Sequence, residues 1–380
     1  MRKQGYVAFC LVLTLCFCFF LPSCGTTSWQ SMEKPVSSTA LESHLYQSLL
    51  AEEETISFTF LEGDVDEESL HLAMSRLLAS RWNLFFVSQT YTLKLEGERV
   101  VYMRPQYLFS GPTLSQKREE IDAHLHQILS GISHATSPLE VVFYLHDYLI
   151  CQFSYDDTHT TYDLYGMLTT KTGVCQAYAL LFSALCESAH IPCEVVLCFS
   201  KQHEWNLVNL YGNWYHIDLT WDETELPYLG RVPHRFFLLD DQTLRHRREE
   251  TREDWKDAYV WDAPHTATDP TFAHLPLDDC AGRTASQNGI LYFATTKELF
   301  ALDPRTLTVT SIFTFPKKDE GYPYVTLALF EETIYFNLSS HLYRISQGGT
   351  VSSLGSALPD GVYYYGIGVE ENTLVCQTKY

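Results

Sequence analysis

One stretch restricts the fold more than any other. From Cys175 to about His190 the chain reads as a helix that is apolar nearly all round, with Leu180, Leu181, Phe182, Ala184 and Leu185 facing several directions, and it stops before Pro192. Such a helix has no polar face to give to water, so it must be enclosed. Its neighbours in sequence are suited to enclose it. Residues 193–199, 205–211 and 214–220 read as consecutive antiparallel strands, with Gly212-Asn213 as a tight turn between the last two. Upstream, 138–153 reads as a helix with Pro138 in its first turn and Leu139, Val142, Leu145 and Leu149 at helical spacing. The expectation is an α+β core in which a central helix lies against an antiparallel sheet.

The chain can afford a large core, since 46% of its residues are hydrophobic and 14% aromatic. That composition excludes a disordered protein. Net charge is −21, from 26 Lys and Arg against 47 Asp and Glu, and no basic cluster stands out, so nucleic acid is not an expected partner. At the start, Arg2 and Lys3 precede an apolar run over 6–21, the pattern of a signal peptide spanning 1–23 and too short for a comfortable permanent span. It ends in Leu21-Pro22-Ser23-Cys24-Gly25, which resembles a bacterial lipobox. The resemblance implies cleavage before Cys24, a lipid on its thiol, and an extracytoplasmic protein held to the membrane of the cell envelope. Residues 24–39 then serve as a polar tether. Of eleven Cys, Cys10, Cys16 and Cys18 lie in the signal region and Cys24 is the expected anchor, the alternative being an ordinary signal peptide cut nearby with Cys24 a bystander. The remaining number is odd, so at least one thiol stays free. No CxxC occurs, which argues against zinc ribbons and thioredoxin-type sites. Cys151, Cys186, Cys193 and Cys198 sit in or beside apolar runs and read as buried free thiols.

The flanks look different. Residues 40–136 form an N-terminal α/β region, with helices over 40–53, 67–80 and 115–130 and a strand pair, 89–95 and 99–105. Residues 241–258 are densely charged and read as a solvated helix, and Pro264, Pro270 and Pro276 mark a linker over 263–283. Beyond it, Ile290-Leu-Tyr-Phe293, Thr333-Ile-Tyr-Phe336 and Thr373-Leu-Val-Cys376 recur, the first two followed by second strands over 299–302 and 342–345. The spacing suits propeller-like blades, but a closed propeller needs at least about four. A C-terminal all-β repeat module over 284–380 is expected.

Thiol chemistry needs a sulfur that can ionise, a base beside it and a group that orients the base. Cys175 opens the buried helix just after Gly173, where free amide donors and the helix dipole favour a negative sulfur and lower its pKa. Gly173 allows a close backbone approach. His203 opens the next-but-one strand and Asp218 ends the one after that. With the turn at Gly212-Asn213, Asp218 would lie opposite Leu207, on the face that His203 shares. At that register the two are too far apart, and a shift or a bulge has to close the gap. Taken singly, each of the three has a structural reading: a packed Cys, a satisfied His, an Asp that caps a turn.

Their context is more specific. Gly173-Val174-Cys175-Gln-Ala-Tyr178-Ala179, then His203-x-Trp205-Asn206, then Trp214-Tyr-His-Ile-Asp218-x-Thr-Trp221-Asp222 resembles the transglutaminase-like superfamily, with Tyr155-Asp156 similar to the family's approach to the site. The resemblance covers roughly residues 137–262. It implies a papain-like core with Cys175 as nucleophile, His203 as general base and acid, and Asp218 as the residue that orients the imidazole. A thioester would form on Cys175 from a protein or peptide substrate, to be resolved by water or by an amine, without a cofactor. Tyr155, Tyr178, Trp205 and Trp221 are candidates to wall the substrate site, with packing in the core as the alternative for the Trp residues. Papain-type enzymes carry a Gln six residues before the nucleophile. Here that position is Thr169, so the second oxyanion donor is not identified. The competing reading is a non-catalytic binding or scaffold lipoprotein that keeps the fold. A metal site is disfavoured: His203-Glu204 begins like HExxH, but Leu207 breaks the pattern, and His216, two residues from Asp218, reads as a packed His.

Overall fold

The computed structural model describes residues 40–380 apart from 59–63, 224–229, 257, 281, 317–324, 371–372 and 380. The expected signal peptide, lipidated Cys24 and tether lie outside the described residues. No helix among those described is long and apolar enough to cross a membrane.

The N-terminal region alternates helix and strand: α1 (Ala40–Leu50), β1 (Ile56–Ser57), α2 (Glu67–Ser80), β2 (Val87–Glu96) and β3 (Arg99–Tyr107). The three strands form an antiparallel sheet in the order β1-β3-β2. Asp66 starts α2 by accepting a hydrogen bond from the Ser69 N–H, the usual way to satisfy an orphan amide at a helix start. Next come α3 (Gly111–Ser130) and α4 (Pro138–Gln152). Ser137 caps α4, accepting from the Glu140 N–H, and Pro138 occupies its first turn, where no amide hydrogen is needed.

The central part follows as β4 (Ser154–Tyr155), α5 (Leu164–Thr170), β5 (Thr172–Gly173), α6 (Cys175–Ser188), β6 (Cys193–Cys198), β7 (His203–Leu210), β8 (Asn213–Ile217), α7 (Leu219–Asp222), β9 (Phe237–Leu239) and α8 (Asp241–Thr251). The strands β6-β7-β8-β9 make one antiparallel sheet in sequence order. As its composition requires, α6 is enclosed. Everything from Ala177 to Cys186 is buried, against β6 and β7 on one side and α3, α4 and α5 on others. Asn206 of β7 donates to the Ala179 carbonyl at 2.9 Å, tying sheet to helix. This is the expected α+β core.

The register of β7 and β8 departs from expectation in a way that matters. The turn is Tyr211-Gly212, both at positive φ (56° and 90°), closed by the pair Leu210 and Asn213. Leu207 therefore pairs with His216 rather than Asp218. The face of Asp218 is unchanged, because the slip is two residues, but the carboxylate moves along the strand toward His203.

Two further expectations are corrected. Helix α8, expected to be solvated, buries Leu244 and Arg248, four residues apart on one face. The stretch 263–283, expected as a linker, packs Phe272, Leu277 and Cys280 into the main core. Its apolar side chains sit between prolines and short 3-10 turns, so it coats the sheet instead of spanning space.

The C-terminal repeats are two four-stranded antiparallel meanders and a hairpin. The first comprises β10 (Ala285–Gln287), β11 (Ile290–Ala294), β12 (Glu298–Asp303) and β13 (Thr308–Thr314). The second comprises β14 (Leu327–Phe330), β15 (Thr333–Leu338), β16 (His341–Ile345) and β17 (Val351–Gly355). The hairpin is β18 (Tyr363–Glu370) with β19 (Thr373–Lys379). The three sequence repeats fall on the second strand of each unit. The first sheet contributes Leu291, Phe293 and Leu302 to the main core, and a separate cluster fills the space between the first and second sheets.

Candidate active site

Cys175 is the first residue of α6 and is 5% exposed. Its position is set from behind by Gly173. A Cβ there would stand 2.8 Å from the Ala177 Cβ and 3.0 Å from the Met167 sulfur, so only glycine lets β5 run so close to α5 and α6. The loop before it is shaped by Asp156, whose carboxylate accepts from the Thr158, Thr160 and Thr161 amides and from the Thr158 and Thr160 hydroxyls. These bonds, despite burial, hold Asp156 well below the usual carboxylate range. The loop then returns the Thr161 carbonyl to accept from the Val174 N–H, immediately before Cys175.

The sulfur faces the main-chain N–H groups of Gln176 and of Glu204, the residue that follows His203. His203 Nε2 stands 2.7 Å from Asp218 Oδ2. Its ring stacks on Trp205 (centroids 5.6 Å apart, planes at 23°) and meets Trp221 and Trp255 at 6.0 and 5.8 Å. Asp218 is fully buried; its Oδ1 accepts from the Thr220 hydroxyl and its amide donates to the Phe236 carbonyl. Burial opposes its ionisation, but His203 and Arg248 outweigh that and hold its carboxyl below the usual range.

The sulfur does not behave as the helix start alone suggests. Burial pushes the Cys175 thiol up to about 12, with the Glu204 carboxyl as the next cause. Burial also drives Glu204 well above the ordinary carboxylate range, and desolvation is the first cause at the sulfur too. A helix terminus contributes about 0.3–1 kcal/mol, whereas full burial shifts an ionisable group by up to about 3–5 units. At rest the Cys175 sulfur is a thiol. Glu204 Oε2 is buried without a partner, and burial raises the Tyr162 phenol, which lies near Cys175.

Of the expected wall residues, Trp205 and Tyr178 are each 1% exposed, leaving no face for a substrate. Trp205 is a backing for His203, and its indole N–H donates to His216 Nδ1 at 2.9 Å. Tyr155 and Trp221 are half-buried and keep some surface. His216 is a satisfied core residue: its Nε2 lies 2.8 Å from Asp241 Oδ1, and burial lowers its pKa against the pull of Asp241. Arg248 was not anticipated. It is completely buried, pairs with Asp218 Oδ2, and sits over the Trp205, Trp255 and Trp221 rings at 3.9, 4.4 and 5.1 Å. An Arg amid acidic and basic neighbours in a charged stretch carried no signal of burial. The i, i+4 pair Leu244 and Arg248 was the only trace.

Among the described residues, His146, Asp147 and His234 could in principle hold a metal, with one donor atom each within 4.8 Å of the others. Those donors are engaged with one another. Asp147 Oδ1 stands 3.2 Å from His146 Nδ1 and 2.9 Å from His234 Nε2, while His146 Nε2 faces Asp222 Oδ2 at 3.2 Å. The cluster is a buried hydrogen-bonded ion-pair network. All seven cysteines among the described residues are free thiols.

Residues 126–219 match the family model of the transglutaminase-like superfamily. No curated protein matches the chain. Among solved structures, the chain is similar to a TGase at 12% identity and a TM-score of 0.26, covering 44% of this chain and 50% of that one. It is also similar to a candidate cysteine protease from Cytophaga hutchinsonii at 14% identity and a TM-score of 0.25, covering 59% of this chain and 68% of that one. The chain thus spans about half the length of the first of these structures.

Proposed function

We propose, from the premise that residues 126–219 carry a transglutaminase-like domain, that the protein is a thiol-dependent amide hydrolase or acyl transferase acting on protein or peptide substrates. The family match supports a thiol-dependent hydrolase or transferase kind. The observation that carries the finer reading is the 2.7 Å contact of His203 Nε2 with Asp218 Oδ2, beside a buried thiol that faces the amide of the residue next to His203. That contact occupies one imidazole nitrogen, and in this reading the other, Nδ1, serves the sulfur.

In this reading the Cys175 proton passes to His203 Nδ1 as the sulfur attacks a carboxamide or peptide carbonyl. Asp218 stabilises the imidazolium that forms. The tetrahedral oxyanion takes a hydrogen bond from the Cys175 N–H, which the first turn of α6 leaves without a helical acceptor. The imidazolium then protonates the departing amine or ammonia, and a thioester remains on Cys175. Water completes a hydrolysis and a primary amine completes a cross-link, with His203 deprotonating either. We further propose that the protein works outside the cytoplasm, lipid-anchored through Cys24.

The test is incubation of the purified protein with a peptide library, with and without an added primary amine, followed by mass spectrometry. Cleavage, a loss of ammonia with amine incorporation, or deamidation is expected, and each should vanish in Cys175→Ala. A second measurement compares thiol labelling. Cys175 should react faster than Cys186, which is fully buried in mid-helix, and the difference should depend on His203. Equal labelling of both, unaffected by His203→Asn, favours the binding or scaffold reading.

A further inference from the structure

The Asp218 carboxylate is asked to serve two partners through one oxygen. Oδ2 accepts from His203 Nε2 and from the Arg248 guanidinium. Arg248 comes from α8, outside the segment matched by the family model. A buried guanidinium is costly to desolvate, and here only one of its nitrogens has a hydrogen-bond partner: Nε and Nη1 are buried without one. Three indole faces take their place. All three rings also lie against the His203 imidazole. Imidazole and guanidinium are therefore held in one aromatic frame, with the Asp218 carboxylate bonded to both.

Resting on the triad reading above, we infer that Arg248 is a positioning residue for this site: its guanidinium fixes the Asp218 carboxylate in the plane that His203 needs and opposes excess positive charge on the imidazole. An unshared buried carboxylate would hold a proton on His203, leaving it a poor acceptor for the Cys175 proton. A carboxylate shared with a permanent cation still orients the ring, yet stabilises the imidazolium less. The other charged or titratable groups around the pair are few. Cys175 and Glu204, whose carboxyl burial raises, lie toward α6. His216, bonded to Asp241, lies along β8, and Cys198, Lys201 and Tyr259 border the Arg248 side. None of these touches Asp218, so Arg248 is its only cationic partner besides His203 among the described residues.

The experiment is a titration of the His203 ring by NMR in the full chain, comparing wild type, Arg248→Met and Arg248→Lys, with the alkylation rate of Cys175 by iodoacetamide measured alongside. Removing the charge in Arg248→Met should raise the His203 titration midpoint by about one pH unit, a tenfold change in proton affinity. Arg248→Lys, which keeps the charge but loses the planar fork, should leave the midpoint near wild type and slow the His203-dependent alkylation several-fold. A folded Arg248→Met protein whose His203 titrates as in wild type would overturn the inference. Should the Met variant fail to fold, unchanged alkylation in Arg248→Lys overturns it instead. The triad reading fails separately, by wild-type alkylation that is indifferent to His203→Asn, while the NMR comparison still decides the role of Arg248.

Discussion

At the scale of single residues, the site is a set of buried ionisable groups whose charges are decided by enclosure more than by local backbone dipoles. Cys175 shows this most clearly. Its folded thiol is raised to about 12 by burial, above the unfolded value of roughly 8.5. The linkage runs one way: the buried thiol stabilises the fold in full below roughly pH 8.5, and that contribution is lost as the pH climbs toward about 12. Chemical denaturation across this window should show a decline in stability, and Cys175→Ala should flatten it. On the catalytic side, Cys175→Ala and His203→Asn should each lower kcat/KM on a peptide amide by about 10³-fold or more. The double variant should lose little beyond either single one, because the two groups act as a unit.

At the scale of elements, α6 is placed by what surrounds its first turn. Gly173→Ala puts a methyl group 2.8 Å from Ala177 and 3.0 Å from the Met167 sulfur. The variant should lose about 1–3 kcal/mol of unfolding free energy and, with β5 pushed off α5, a larger share of activity than of stability. The measurement is a urea melt beside an assay. Helix α8 offers the complementary case. Asp240 caps it, accepting from the Gln242 and Thr243 amides at 3.0 Å each. Asp240→Ala should cost about 1 kcal/mol, and because α8 carries Arg248 the cost should reach the His203 and Asp218 pair, visible as broadened or shifted His203 ring signals.

At the scale of the whole molecule, the network of Asp147, His146, His234 and Asp222 joins α4, α7 and the segment after residue 230 to the first C-terminal sheet. Thr284, just before β10, donates to Asp147 Oδ2 through its amide and at 2.7 Å through its hydroxyl. Burial opposes charge on both members of the central pair. At Asp147 the His234 and His146 imidazoles outweigh it and hold the carboxyl below its usual range; at His234 the facing Cys280 and then Asp147 outweigh it and hold the imidazole well above its usual range. The His234 contribution is complete below roughly pH 6.5 and is lost as the pH rises through its raised folded value. The Asp147 contribution is complete above roughly pH 3.9 and is lost as the pH falls below it. Thermal melts should therefore decline on both sides of a mildly acidic optimum. Thr284→Val, which deletes the hydroxyl donor, should cost about 1–2 kcal/mol and loosen the junction with the β-module, as read by hydrogen exchange in β10 and β11.

The order of residues alone specifies the core and singles out Cys175, His203 and Asp218 as candidates. An all-round apolar helix has to be enclosed, the alternation after it makes an antiparallel sheet, and the parity of a strand puts His203 and Asp218 on one face whatever the even slip of register. These are local or periodic properties, and local physics settles them. Everything set by enclosure and by contacts between distant segments waited for the folded chain. The turn closed at Tyr211-Gly212 and carried Asp218 toward His203. Arg248, in a stretch that reads as solvated, was drawn under three indoles to meet Asp218. The resting thiol was raised rather than lowered, because desolvation at Cys175 outweighs a helix dipole. Burial and register are properties of the folded assembly of segments, and no window of the chain contains them.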